Sequence, residues 1–160
     1  MVIFRTLKEG DIPLIQKLAL KAWLFTYKNI YTEKTIRKEV AKYYSDKSFR
    51  NYLSKTKQNK EFFGVAVDKN SILGYAHVGR KNNKWEIFRI YVSPDRLRQG
   101  LGTRLIHHIE VFLKSKKAKQ YRVYSHLKNK IASNFYRKIG FKLNLSKNRG
   151  TTSICLEKRL

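Results

Sequence analysis

Chemistry in this chain is most visible between Tyr91 and Thr103, which reads Y-V-S-P-D-R-L-R-Q-G-L-G-T. A strand-like pattern, W-E-I-F-R-I-Y-V, leads into it, and a helix-like pattern, T-R-L-I-H-H-I-E-V-F-L, leads out. Between them lie a turn at Ser93-Pro94-Asp95, a basic loop from Arg96 to Gln99, and the pair Gly100 and Gly102. Strand, glycine loop and helix start in that order suit a phosphate group. The first amides of a helix have no acceptor inside it, and the positive end of the helix dipole points the same way. Glycine removes the Cβ that would hold a ligand off the backbone. Arg96 and Arg98 add charge beside it. A G-x-G pair alone also serves plain turns and strand–helix packing, so the rest of the chain must decide.

Other reactive types are sparse. Cys155 is the only cysteine and sits in an alternating apolar segment, where it reads as a buried small hydrophobe. No zinc-type Cys/His spacing occurs, so no metal is expected. With 160 residues, 42% apolar and 13% aromatic, the chain has the composition of one globular domain spanning 1–160. Its 36 Lys and Arg against 11 Asp and Glu give a net charge of +25. A field of that sign draws polyanions such as nucleic acid, and it also keeps a protein soluble. The N-terminus lacks a signal-peptide core and no apolar run reaches membrane-spanning length. A cytoplasmic protein with no membrane partner is expected.

The elements that hold these groups follow from periodicity. Residues 2–6 suit an opening strand, and Asp11 is read as the cap of a helix starting near Pro13. An aromatic loop at 27–31 precedes a second helix capped by Thr32, and Ser45 or Asp46 starts a third. After a basic break at 55–60 the period becomes that of strands, at 61–67, 71–78 and 85–92, an antiparallel meander. The glycine loop and its helix follow, then a strand at 121–125, a helix at 131–139 stopped by Gly140, and strands at 141–145 and 152–158. Hairpin-joined strands with helices on the sheet make an α+β fold. Leu105 stands where a dinucleotide fingerprint needs its third glycine. His77, His107 and His108 are expected on strand or helix surfaces, and residues 153–158 form an exposed strand able to pair across a dimer. Monomer and homodimer both stay open.

With these elements placed, the chain resembles the GNAT superfamily of acyl-CoA-dependent N-acyltransferases. The place of the family's central motif, Q/R-x-x-G-x-G/A, is occupied by Leu97-Arg98-Gln99-Gly100-Leu101-Gly102. Its second signature, N-x-x-A-x-x-F/L-Y-x-x-x-G-F, is complete from Asn129 through Ala132, Phe135, Tyr136 and Gly140 to Phe141. Leu97 departs from the usual Gln or Arg, with Arg98 and Gln99 adjacent. The resemblance implies a mixed central sheet of about seven strands flanked by helices, and acetyl transfer from acetyl-CoA to a primary amine by direct attack. It places the diphosphate on Leu97, Arg98, Gln99, Gly100, Leu101, Gly102 and Thr103. The pantetheine arm would pair with the backbone of Ile90, Tyr91 and Val92, where that strand diverges from 121–125. Asn129 would hold the arm from the other side, and Lys138 would reach the phosphates. Tyr136 would protonate the departing thiolate.

A lysine-like amine, with pKa ~10.4, is mostly charged near neutrality and must lose a proton before it attacks. Glu86, fourteen residues before Gly100, has the spacing of the base in the family's protein-lysine branch, and His126 is a second candidate. The run from Trp23 to Ile30, W-x-x-T-Y-x-x-I, is similar to the PaiA-type polyamine acetyltransferase branch. Trp23, Tyr27 and Tyr31 would form an aromatic wall for an ammonium group. Glu33, Glu39 and Glu86 are the acids that could make an otherwise basic site locally acidic. The acceptor is thus a small amine, a polyamine or a protein amine. Two other classes compete: a nucleic-acid-associated protein on the same frame, and a CoA-binding sensor without turnover.

Overall fold

The computed structural model describes residues 1–160. In chain order the elements are β1 (Ile3–Thr6), α1 (Ile12–Tyr27), α2 (Glu33–Tyr43), α3 (Asp46–Lys57), β2 (Phe62–Asp68), β3 (Ser71–Lys81), β4 (Lys84–Val92), α4 (Leu101–Ser115), β5 (Gln120–His126), α5 (Lys130–Lys138), β6 (Lys142–Leu143) and β7 (Ser153–Arg159). The seven strands form one sheet in the order β1-β2-β3-β4-β5-β7-β6. Every pairing is antiparallel except β4 with β5. That is the mixed, helix-flanked sheet expected from the sequence.

Each face of the sheet carries its own apolar layer. On one, Ile15, Leu18, Ile36, Val40 and Phe49 of α1–α3 pack on Phe63, Val65 and Tyr75. On the other, Leu105, Ile106, Ile109 and Leu113 of α4 pack on Ala66, Ala76, Val78 and Ile87. These helical residues recur every three or four positions, which puts them on one stripe. Thr32 and Ser45 cap α2 and α3 as expected, accepting from the amides of Thr35 and Ser48.

A β-bulge in β4 decides which side chains face the helices of the acceptor side. His77 of β3 pairs with Arg89, but the next residue, Val78, pairs with Ile87, so Phe88 is supernumerary. Ile87 before the bulge and Ile90 and Val92 after it all join the α4 layer, while Tyr91 turns to the other.

The structure corrects several local expectations. Asp11 does not cap α1 by its side chain. Its carboxylate accepts from the Lys8 amide at 2.8 Å and from both terminal nitrogens of Arg5, tying β1 to the turn before the helix. The strand expected at 141–145 is only Lys142–Leu143, followed by a 3-10 turn at Leu145–Lys147. Residues 153–158 are not an exposed edge: β7 runs between β5 and β6, and Ile154, Cys155 and Leu156 are buried. His77 is not at the surface but fully buried. No helix is long and apolar enough to cross a membrane.

Candidate active site

β4 and β5 pair at only two positions, Glu86 with Arg122 and Ile87 with Val123. Beyond them the strands part, and β4 toward Val92 keeps only its β3 neighbour. Its other edge offers unpaired N–H and C=O groups to an extended ligand. At the mouth of the gap a 3-10 turn, Pro94–Arg96, leads to the glycine loop. Arg98 and Gly100 adopt positive φ, 61° and 77°. Gly100 is the N-cap of α4, and no side chain caps that helix. The Arg104 amide bonds back to the Gly100 carbonyl at 3.1 Å, which leaves the amides of Leu101, Gly102 and Thr103 without an acceptor in the helix. This cradle of bare donors at a dipole's positive end fits a diphosphate. Gly102 has a packing reason as well: a Cβ there would come within 3.2 Å of the Phe135 ring. Leu97 is half-buried, Arg98, Gln99 and Thr103 are exposed, and Lys138 lies exposed at the far end of α5.

Three phenols meet where the gap deepens: Tyr27 at the end of α1, Tyr91 on β4 and Tyr136 on α5. The hydroxyls of Tyr27 and Tyr91 lie 3.2 Å apart. Burial, and then the neighbouring Tyr27, raise the Tyr136 phenol far above its ordinary value. Tyr136 is thereby held firmly as a neutral phenol. Its ring packs against Phe135 and Phe141, with centroids 5.3 and 5.2 Å away. Asn129 caps α5, accepting from the Ala132 amide at 3.1 Å.

Next to the phenols opens a cleft of about 450 Å³ between α1, α2 and the β5–β7 wing. Trp23, Tyr27 and Tyr31 all line it, their rings in sequence 5.0 and 5.8 Å apart. Of the three acids considered for this site, only Glu39 lines the cleft. It is half-buried and has no basic partner. Glu33 lies outside, exposed and paired with Arg37 at 2.7 Å.

Glu86 is buried behind the cleft with both oxygens engaged. Arg122 Nε donates at 3.1 Å, and the two terminal nitrogens of Arg149 donate at 3.0 and 2.9 Å. The Arg149 guanidinium also lies 3.6 Å from the Tyr124 ring, which lines the cleft. Glu86 stands at the joined end of β4 and β5, not where they part. His126 lines the cleft, and its Nδ1 accepts from the Lys128 amide at 3.1 Å. The neutral ring then carries its proton on Nε2 and has no free lone pair.

Sequence reasoning missed Tyr124, Ser125 and Arg149, because β5 and the loop before β7 reach α2 only through the fold. Ser125 Oγ and Trp23 Nε1 are buried without a hydrogen-bond partner, and both residues line the cleft. Nothing in their local sequence marks that.

A mixed sheet that parts between its fourth and fifth strands, with an uncapped glycine-loop helix at the parting, defines an acetyl-CoA-dependent N-acetyltransferase. Residues 22–141 match the Acetyltransferase (GNAT) family, and the chain belongs to that family. It is 28% identical over 141 residues to the spermidine N(1)-acetyltransferase of Thermoplasma acidophilum, covering 87% of each chain. The crystal structure of the PaiA N-acetyltransferase from Thermoplasma acidophilum in complex with coenzyme A superimposes with a TM-score of 0.93 at 25% identity, over 100% of this chain and 99% of that one. The ribosomal-protein-S18-alanine N-acetyltransferase of Escherichia coli shares the fold at 18% identity and a TM-score of 0.66, over 99% of this chain and 94% of that one.

Proposed function

We propose that this enzyme acetylates a primary amine of the polyamine type, with a second ammonium held in the aromatic cleft. The carrying observation is Glu39, a half-buried carboxylate without a cationic partner, lining the cleft opposite aromatic rings in a protein of net charge +25. The surface charge repels a cation at long range, but screening beyond ~8 Å at physiological salt leaves the nearest carboxylate to decide. Ring faces add about 0.5–2 kcal/mol of cation–π attraction. The likeness to a spermidine acetyltransferase supports the same reading.

In this reading the acetyl-CoA diphosphate lies on the amides of Leu101, Gly102 and Thr103, with Arg98, Gln99 and Lys138 as outer charges and donors. The arm runs along Ile90, Tyr91 and Val92, steadied by Asn129. The neutral amine attacks the acetyl carbonyl, the carbon–sulfur bond breaks, and Tyr136 gives its proton to the thiolate. Glu86 and His126 are both engaged, so the amine loses its proton to water in the open cleft. Glu86 instead fixes the wall that Tyr124 and Arg149 build.

The test compares spermidine with a monoamine of similar length. Glu39→Gln is expected to lower kcat/KM for spermidine about tenfold, near the scale of one charge-assisted contact. The KM for acetyl-CoA and the monoamine rate should stay as they were. An equal loss on both acceptors would overturn the reading.

A further inference from the structure

A second cleft, of about 410 Å³, lies at the far end of the sheet from the acyl-transfer site. It sits between the α3–β2 loop, the β3–β4 hairpin and the last turn of α4. Lys55, Lys60, Arg80 and Lys116 line it, with Asn59 and Trp85. β4 starts here at Lys84 and reaches the cofactor gap only at Val92, roughly 26 Å away at ~3.3 Å per residue.

The charges here are not balanced from within. The single carboxylate of the lining, Glu61, is engaged by Lys55 at 3.0 Å and by buried His77 at 2.8 Å. Lys60, Arg80 and Lys116 have no acidic partner, and Lys81, Lys84, Lys114, Lys117 and Lys119 stand exposed nearby along the chain. Like charges gathered around a concavity repel one another, and an anion entering it relieves that repulsion. The Arg80 guanidinium lies 5.6 Å from the Trp85 ring centre, a planar cation against an indole.

From these observations we infer that the cleft binds the phosphate backbone of single-stranded nucleic acid, with the Arg80–Trp85 pair as a surface on which a base stacks. A stacking surface serves an unpaired base, which favours a single strand over a duplex. A membrane surface is a poorer match: the cations are set around a hollow, and the only aromatic of the lining is half-buried rather than free to insert.

The test is fluorescence anisotropy with a labelled oligouridylate, in saturating CoA so that the cofactor groove is filled. The double variant Arg80→Gln/Lys116→Gln is compared with Lys34→Gln/Lys38→Gln, which removes the same charge from the exposed face of α2. The first should bind at least tenfold more weakly. It should also flatten the slope of log K against log salt by about 1.4, since each lost phosphate contact on a single strand is worth about 0.7. Acetyl transfer should be unchanged in both variants, which reports that they are folded and separates this inference from the catalytic one. Equal weakening in both variants would reduce the effect to bulk charge and overturn it. So would absence of binding by the unaltered protein with CoA present, or tighter Arg80- and Lys116-dependent binding to phosphatidylglycerol vesicles than to the oligonucleotide.

Discussion

Tyr136 offers a clean separation of chemistry from structure. Its hydroxyl has no hydrogen-bond partner in the protein, so its removal leaves no orphaned group behind. Tyr136→Phe should therefore unfold at nearly the same urea concentration while kcat falls by about 10²–10⁴, the usual worth of a positioned acid. Glu86→Gln should behave in the opposite way. Two arginines would lose their charged partner, Arg122 mostly buried and Arg149 open to solvent, at a cost of about 1.5–3 kcal/mol. The pH profile of kcat/KM should keep its shape under the proposal that no proton passes through that carboxylate. That profile is expected to climb toward the amine's own pKa, ~10.4, and a plateau near neutrality in the unaltered enzyme would assign a base to the protein. Tyr136 and the glycine loop were legible in the sequence because each lies inside one short motif. The surroundings of Glu86 were not, since Arg122 and Arg149 come to it from 36 and 63 residues away.

Helices and strands were legible to the extent that they bury a periodic face. All five helices and the meander follow from apolar spacing and from caps such as Thr32 and Ser45. Where burial is slight the pattern failed, as at β6, whose two residues are both exposed and pair with β7 alone. His77 was misread because a polar type on a strand looks outward until its Glu61 partner is seen. The loop between β4 and α4 carries a sharper expectation. Gly100 sits at φ 77°, a region that costs an L-residue about 1–2 kcal/mol. Open space surrounds its missing Cβ, so the penalty is one of backbone geometry and not of clash. Gly100→Ala should raise the KM for acetyl-CoA and leave the KM for the amine alone, as steady-state kinetics with each substrate varied will show.

For the molecule as a whole, acid is the weak flank. Burial drives the His77 imidazole down to about 4, with Glu61 opposing in part. An unfolded chain takes that proton near 6.5, which the folded one refuses. Stability is then full above 6.5 and lost as pH falls toward 4, by about 2 kcal/mol between pH 7 and 5. Urea titrations at the two values will measure it, and His77→Gln should remove most of the difference. The bulge at Phe88 reaches further than its single residue. Straighten the bulge with Phe88 kept in the ladder, and the tail of the strand turns inside out: Tyr91 would swing among the leucines of α4, and Ile90 would face the phenols. The bulge thus keeps oil on one side of a wall and hydroxyls on the other by setting one surplus residue aside, and a shortened strand without Phe88 would close its ladder with both faces kept.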